Sequence, residues 1–159
     1  MFGKIKEKSF DATALGRHER EYSLMRSSFV DIKNDILGKN YEFSIGLVTE
    51  KRSREINKKY RKRDKATNVL SFAFSKNAGE IVLCPGIIRK EAKNLNRTYR
   101  QWLGFLVIHG MLHLEGMRRG SRMEREERKY DQKYFHRNRY RVVHDTGRGR
   151  RISKGRKKS

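Results

Sequence analysis

Cysteine and proline are nearly missing from this 159-residue chain, which has one of each. A single cysteine, Cys84, excludes an internal disulfide framework and suits a reducing compartment. It closes the apolar run IVLC, a setting for a buried structural thiol rather than a nucleophile. Long apolar runs are missing too, and none approaches the roughly 18 residues that a membrane span needs. The opening stretch MFGKIKEKSF has no apolar segment behind its charges, so it does not read as a secretory signal. Acidic residues are scarce: 18 Asp and Glu stand against 40 Lys and Arg, a formal net charge of +22, and none occurs from Gly147 onward. So large an excess exceeds what solubility requires. Its simplest physical use is attraction to a polyanion, through phosphate neutralisation and counterion release. No strongly apolar basic helix or lipidation signal accompanies it, which favours nucleic acid over an anionic membrane. The expectation is a cytoplasmic protein without a membrane role.

The 35% of residues that are hydrophobic suffice for one core. We read residues 1–145 as a single domain and 146–159 as a disordered basic tail. Residues 1–15 support a short edge strand or a partly ordered arm. Tyr22, Met25, Phe29, Ile32 and Ile36 recur at spacings of three and four, the period of an amphipathic helix over about 17–37. Phe43, Ile45 and Leu47 alternate as in a strand. Thr49 stands where a helix N-cap belongs, ahead of a segment with Ile56 and Tyr60 on one stripe. RKRDK at 61–65 reads as a solvated loop. TNVLSFAF and GEIVLC read as strands separated by the turn signal SKNAG. Pro85-Gly86 punctuates, and helical spacing resumes over 87–95. The segment 99–114 is apolar nearly all round, which predicts a central, buried helix. Ser121 and Glu124 make a capping-box pattern that opens a last helix to about Phe135, with Met123, Tyr130 and Tyr134 facing the core.

The buried segment also carries chemistry. His109 and His113 stand four residues apart, one helical turn apart on one face. Both rings can turn a nitrogen toward one metal ion, although a catalytic zinc usually takes three protein ligands and leaves the fourth position to water. Taken alone, the pair reads more simply as core histidines bonded to backbone than as ligands. A zinc-peptidase helix has glutamate directly after its first histidine. Here that position is Gly110, which argues against peptide hydrolysis. Ser71 lies in a strand pattern with no matching base, so a serine nucleophile is not expected.

Three blocks, INKKYRKRDKATNVLSF (56–72), GEIVLC (79–84) and HGMLHLEG (109–116), resemble in order and spacing the YbeY-type rRNA maturation proteins, a family of metal-dependent endoribonucleases. The resemblance implies an α+β fold: a small mixed β-sheet packed with about five helices, the central buried one carrying the HxxxH pair beside a cleft. It implies single-strand-directed cleavage in rRNA maturation, with small-subunit precursor rRNA as substrate. The small ribosomal subunit and its assembly proteins are the partners it suggests. It also implies one zinc ion per chain held by three histidines, His109 and His113 being two of them. Arg61 falls in the family's Y-R-x-x-D loop, where a fixed guanidinium clamps phosphate and stabilises charge at the scissile group. Asp64 orders that loop.

The third family ligand falls six residues after His113, at Arg119. A guanidinium stays protonated, has no available lone pair, and opposes a nearby dication, so Arg119 is not expected to ligate. His136 and His144 are the downstream candidates to replace it. Glu115 turns to the other side of the helix. RNA phosphate or water filling the site, or loss of the metal with RNA binding kept, are the other outcomes. The alternative function is therefore a non-catalytic rRNA-binding ribosome-assembly factor. A metallohydrolase of some other substrate fits the charge less well. Arg118, Arg119 and Arg122 read as an RNA-binding cluster at the cleft mouth, and Arg148, Arg150 and Arg151 as phosphate contacts in the tail. Tyr134, Phe135 and Tyr140 interleave with basic residues and either stack on unpaired bases or pack in the core.

Overall fold

The computed structural model describes residues 6–9 and 16–136. The elements run β1 (Lys6–Ser9), α1 (Gly16–Ile36), β2 (Glu42–Leu47), α2 (Glu50–Arg61), β3 (Val69–Ser75), β4 (Ala78–Leu83), α3 (Pro85–Asn94), α4 (Tyr99–Leu114) and α5 (Ser121–Phe135). The strands form one mixed sheet in the order β1-β2-β4-β3. The β1–β2 and β2–β4 pairs are parallel, and β3 and β4 form an antiparallel hairpin. This is the α+β arrangement of a small mixed sheet and five helices that the resemblance implies. The expected tail, 146–159, and the boundary before it lie outside the described residues.

Alternation along the strands sends side chains to two different layers. Phe43, Ile45, Leu47, Val69, Ile81 and Leu83 join the large core, together with Met25, Phe29 and Ile32 of α1 and Ile108 and Met111 of α4. Leu70, Val82 and Cys84 feed a smaller cluster on the opposite face, against Ile56 of α2. Strands covered on both faces bury their intervening residues as well. Hence Ser44 and Gly46 of β2 are buried, where simple alternation would expose them. The α4 helix runs through the middle of the large layer, and Ile108 and Met111 are wholly buried there. Truncating either to alanine would cost about 2–5 kcal/mol.

Two helix starts differ from the reading of the sequence. Ser121 already lies inside α5, one residue too late to cap it, and the N-cap is Gly120, with no side-chain cap bond. The backbone of Gly120 has φ 148°, a conformation that glycine adopts without strain. The capping box belongs instead to α4: Thr98 Oγ1 accepts from the Gln101 amide, and the Gln101 side chain accepts from the Thr98 amide, both at 3.1 Å. Thr49 caps α2 as expected, accepting from the Arg52 amide at 3.2 Å. Pro85 opens α3 at its first turn rather than separating it from β4.

The stripe on α2 is only partly apolar. Ile56 is half-buried, Tyr60 is 59% exposed, and the buried positions are Ser53 and Asn57. Both are polar because they hold the following loop. Ser53 Oγ donates to the Thr67 carbonyl at 2.8 Å and accepts from the Thr67 amide at 2.9 Å. Asn57 Nδ2 donates to the Lys65 carbonyl at 2.7 Å. Of the expected loop at 61–65, Arg61 still belongs to α2. The rest is thus tied down by its backbone, and Asp64 adds ion pairs with Arg54 and Lys58. This fits the ordering role expected of Asp64.

Candidate active site

Four residues singled out from the sequence, Arg61, His109, His113 and Arg119, line one cleft of about 390 Å³. The histidines come from α4, Arg61 from the last turn of α2, and Arg119 from the turn between α4 and α5. Their neighbours in the wall include Asn68, Ser71, Trp102, Phe105 and Glu127.

Each ring is oriented by the way its helix is built. The α4 helix ends with Gly116 at φ 101°, a left-handed position suited to glycine. There the Gly116 amide bonds back to the His113 carbonyl at 3.1 Å, and the Met117 amide to Leu112 at 3.0 Å. That turn brings the Met117 carbonyl to 3.1 Å from His113 Nδ1. A carbonyl only accepts, so Nδ1 carries the hydrogen and the Nε2 lone pair is left free. His109 Nδ1 lies 2.7 Å from Glu127 Oε1 and donates to that carboxylate in the same way. The rings stand edge to face, with centroids 4.6 Å apart. Burial, with help from His109, Arg119 and Arg61, pushes the His113 imidazole below the usual histidine range. Partial loss of hydration at the cleft and the neighbouring Arg119 and Arg63 likewise lower the proton affinity of the Arg61 guanidinium, although the residue as a whole is exposed.

Gly110 has a packing reason. A β-carbon there would lie 2.8 Å from Ile81 Cγ2 and 3.2 Å from Ser71 Oγ, so no larger residue fits between α4 and the sheet. The Ser71 hydroxyl donates to the Gly110 carbonyl at 3.2 Å, a structural bond. Cys84 is buried, as its apolar run suggested, and burial raises its thiol.

The remaining candidates fall elsewhere. Arg118 and Arg122 line a separate hollow with Glu115, Gly116 and Met117. His136 Nε2 lies 3.1 Å from Asp131 and does not line the cleft. Phe135 packs on α4 at Gly104, Tyr134 donates to Asp35, and both are partly buried against the large core. His144, Tyr140, Arg148, Arg150 and Arg151 lie outside the described residues. Glu127 escaped the sequence reading, although its spacing of four from Met123 puts it on the inward face of α5. Asn68 and Trp102 escaped too. Both donate to Glu91 Oε2, at 2.9 and 2.8 Å, a contact distant in sequence and without a local signal.

Two imidazoles with occupied Nδ1 and free Nε2 atoms match the way histidine is usually prepared for a metal. The set stops there. Among the described residues no group of three His, Cys, Asp or Glu side chains is placed to hold a metal ion, and the third position presents a guanidinium. The donors therefore do not fit the three-histidine zinc that the resemblance implies.

A family model described as Endoribonuclease YbeY matches residues 9–138. The chain is similar to the Endoribonuclease YbeY of Lactobacillus helveticus, 36% identical over 95 residues, covering 48% of this chain and 55% of the relative. It is also similar to that of Aromatoleum aromaticum, 37% identical over 89 residues, with 54% and 58% covered. The chain spans about half the length of the curated relatives it matches. In shape it resembles a solution structure from Thermotoga maritima, with a TM-score of 0.63 and 25% identity, covering 87% of this chain and 93% of the other. No helix among the described residues is long and apolar enough to cross a membrane.

Proposed function

Because the chain belongs to the YbeY family, we propose that it is an endoribonuclease that cuts single-stranded RNA during rRNA maturation. Small-subunit precursor RNA is its substrate class, and the cytoplasmic small subunit with its assembly proteins its setting. One observation carries the reading: two imidazoles, each oriented through Nδ1, leave both Nε2 atoms free beside two arginines in one cleft. Cleavage needs a base for the attacking hydroxyl, whether of water or the RNA 2′-OH, and positive charge for the phosphoryl oxygens. A neutral Nε2 supplies the first, and the Arg61 and Arg119 guanidiniums supply the second. Glu127 and the Met117 carbonyl hold the rings in position. Zinc bound here would meet two imidazole ligands.

The experiment is an in vitro cleavage assay on small-subunit precursor RNA, with and without chelator and added zinc. Cleavage that disappears in the His109→Ala, His113→Ala double variant supports the reading. RNA binding without cleavage under every metal condition would sink it and leave the assembly factor as the function.

A further inference from the structure

Resting on the RNA reading above, we propose that Arg119 makes this an anion site rather than a cation site, in which Arg119 and Arg61 hold a phosphodiester of a single RNA strand directly, without an intervening metal.

The position of the two arginines supports this. The cleft adjoins a second concavity of about 520 Å³ lined by Arg61, Arg63, Ala73, Leu114 and others. Arg61, Ser71, His113 and Arg119 line both, so they mark the junction. A strand crossing that junction would leave one nucleoside beside Asn68 and the stacked Trp102–Phe105 pair, whose rings are 5.2 Å apart and inclined by 7°. The other side would meet Arg63. Stacking surfaces next to fixed cations are the usual equipment for unpaired RNA.

Charge supports it independently. Arg52, Arg54, Arg89 and Arg128 each pair with a carboxylate. Arg61, Arg63 and Arg119 converge on the second concavity, whose wall holds no carboxylate, and none of the three has an ion-pair partner among the described residues. A cluster of like charges facing a cleft is relieved by a bound anion and aggravated by a bound dication. Two guanidiniums also offer the fork of donors that matches phosphate oxygens. A histidine at 119 would bring neither the permanent charge nor the fork.

The test uses the full chain stripped with EDTA and a short fluorescein-labelled single-stranded RNA, with affinity read by anisotropy at roughly physiological salt. Arg119→Ala and Arg61→Ala should each weaken binding about tenfold. Arg52→Ala, which removes the same charge near the start of α2, should leave it nearly unchanged. Arg119→His should take up stoichiometric zinc in metal analysis, and its RNA affinity should become chelator-sensitive, unlike that of the parent. An Arg119→Ala variant that binds as tightly as the parent would overturn the inference. So would a parent chain that carries stoichiometric zinc and loses RNA affinity on chelation. A chain that behaves as expected but cuts no RNA leaves this inference standing and removes only the proposed activity.

Discussion

Replacing Gly110 by alanine sets two opposed effects against each other at the centre of the fold. In a helix interior alanine is favoured over glycine by roughly 0.8–1.0 kcal/mol. Against that, the new β-carbon would lie 2.8 Å from Ile81 Cγ2 and 3.2 Å from Ser71 Oγ. Ile81 is completely buried, and its strand β4 is paired on both sides. The methyl it presents is one bond from its own β-carbon, so it has little room to withdraw. Overpacking of that kind costs about 1–3 kcal/mol. We therefore expect Gly110→Ala to be destabilised by about 1 kcal/mol, a fall in Tm of several degrees for a domain of this size. Thermal and urea unfolding followed by circular dichroism measure it. Gly86→Ala is the comparison: there the first atom met is Glu50 Oε1 at 2.9 Å, the far end of an exposed side chain, and little change is expected. If Gly110→Ala proves as stable as the parent or more so, propensity outweighs packing, and the close approach of α4 to the sheet is not what excludes a side chain there.

Three further outcomes follow from the site and its surroundings. Glu127→Gln should lower RNA cleavage about 10–100-fold, as loss of a carboxylate behind a working histidine commonly does, with folding unchanged by circular dichroism; full activity would remove Glu127 from the site. His113 has a folded-state pKa below its unfolded value of about 6.5, so the unfolded chain binds more protons below that pH. Its stabilisation is present above pH ~6.5 and lost as pH falls through the folded value. The urea midpoint of the parent should accordingly drop more steeply on acidification than that of His113→Gln, and parallel curves would contradict this. Deleting residues 147–159 should flatten the salt dependence of RNA binding, and an unchanged slope would take that stretch out of RNA contact.

Periodicity was a good guide wherever packing obeys it. The α1 stripe, the alternation of β2 and the encircling apolarity of α4 each reflect which layers a segment touches. It failed where a polar side chain is buried for a local purpose. Ser53 and Asn57 look solvated on α2 because nothing nearby in sequence announces the loop backbone they hold. The cap of α5 was misplaced by one residue because Ser121 and Glu124 fit the capping spacing, while Gly120 acts through its backbone alone. At the site, His109, His113 and Arg61 are visible in short motifs, and Arg119 draws notice only through the family resemblance, which implies a histidine there. Glu127, Asn68 and Trp102 are visible in neither way. They come from α5, the bend before β3, and α4, and only the fold brings them together.

The two walls of the cleft differ in what supports them. The imidazoles ride on α4, whose surrounding core includes the fully buried Ile108 and Met111, whereas Arg61 and Arg119 are exposed and stand at the end of a helix and in a turn. In hydrogen exchange the amides of 106–112 should open only with global unfolding, and those of 117–120 through local fluctuation at far lower free energy. Substrate binding would then leave the histidine wall unchanged in protection and slow exchange on the arginine wall alone.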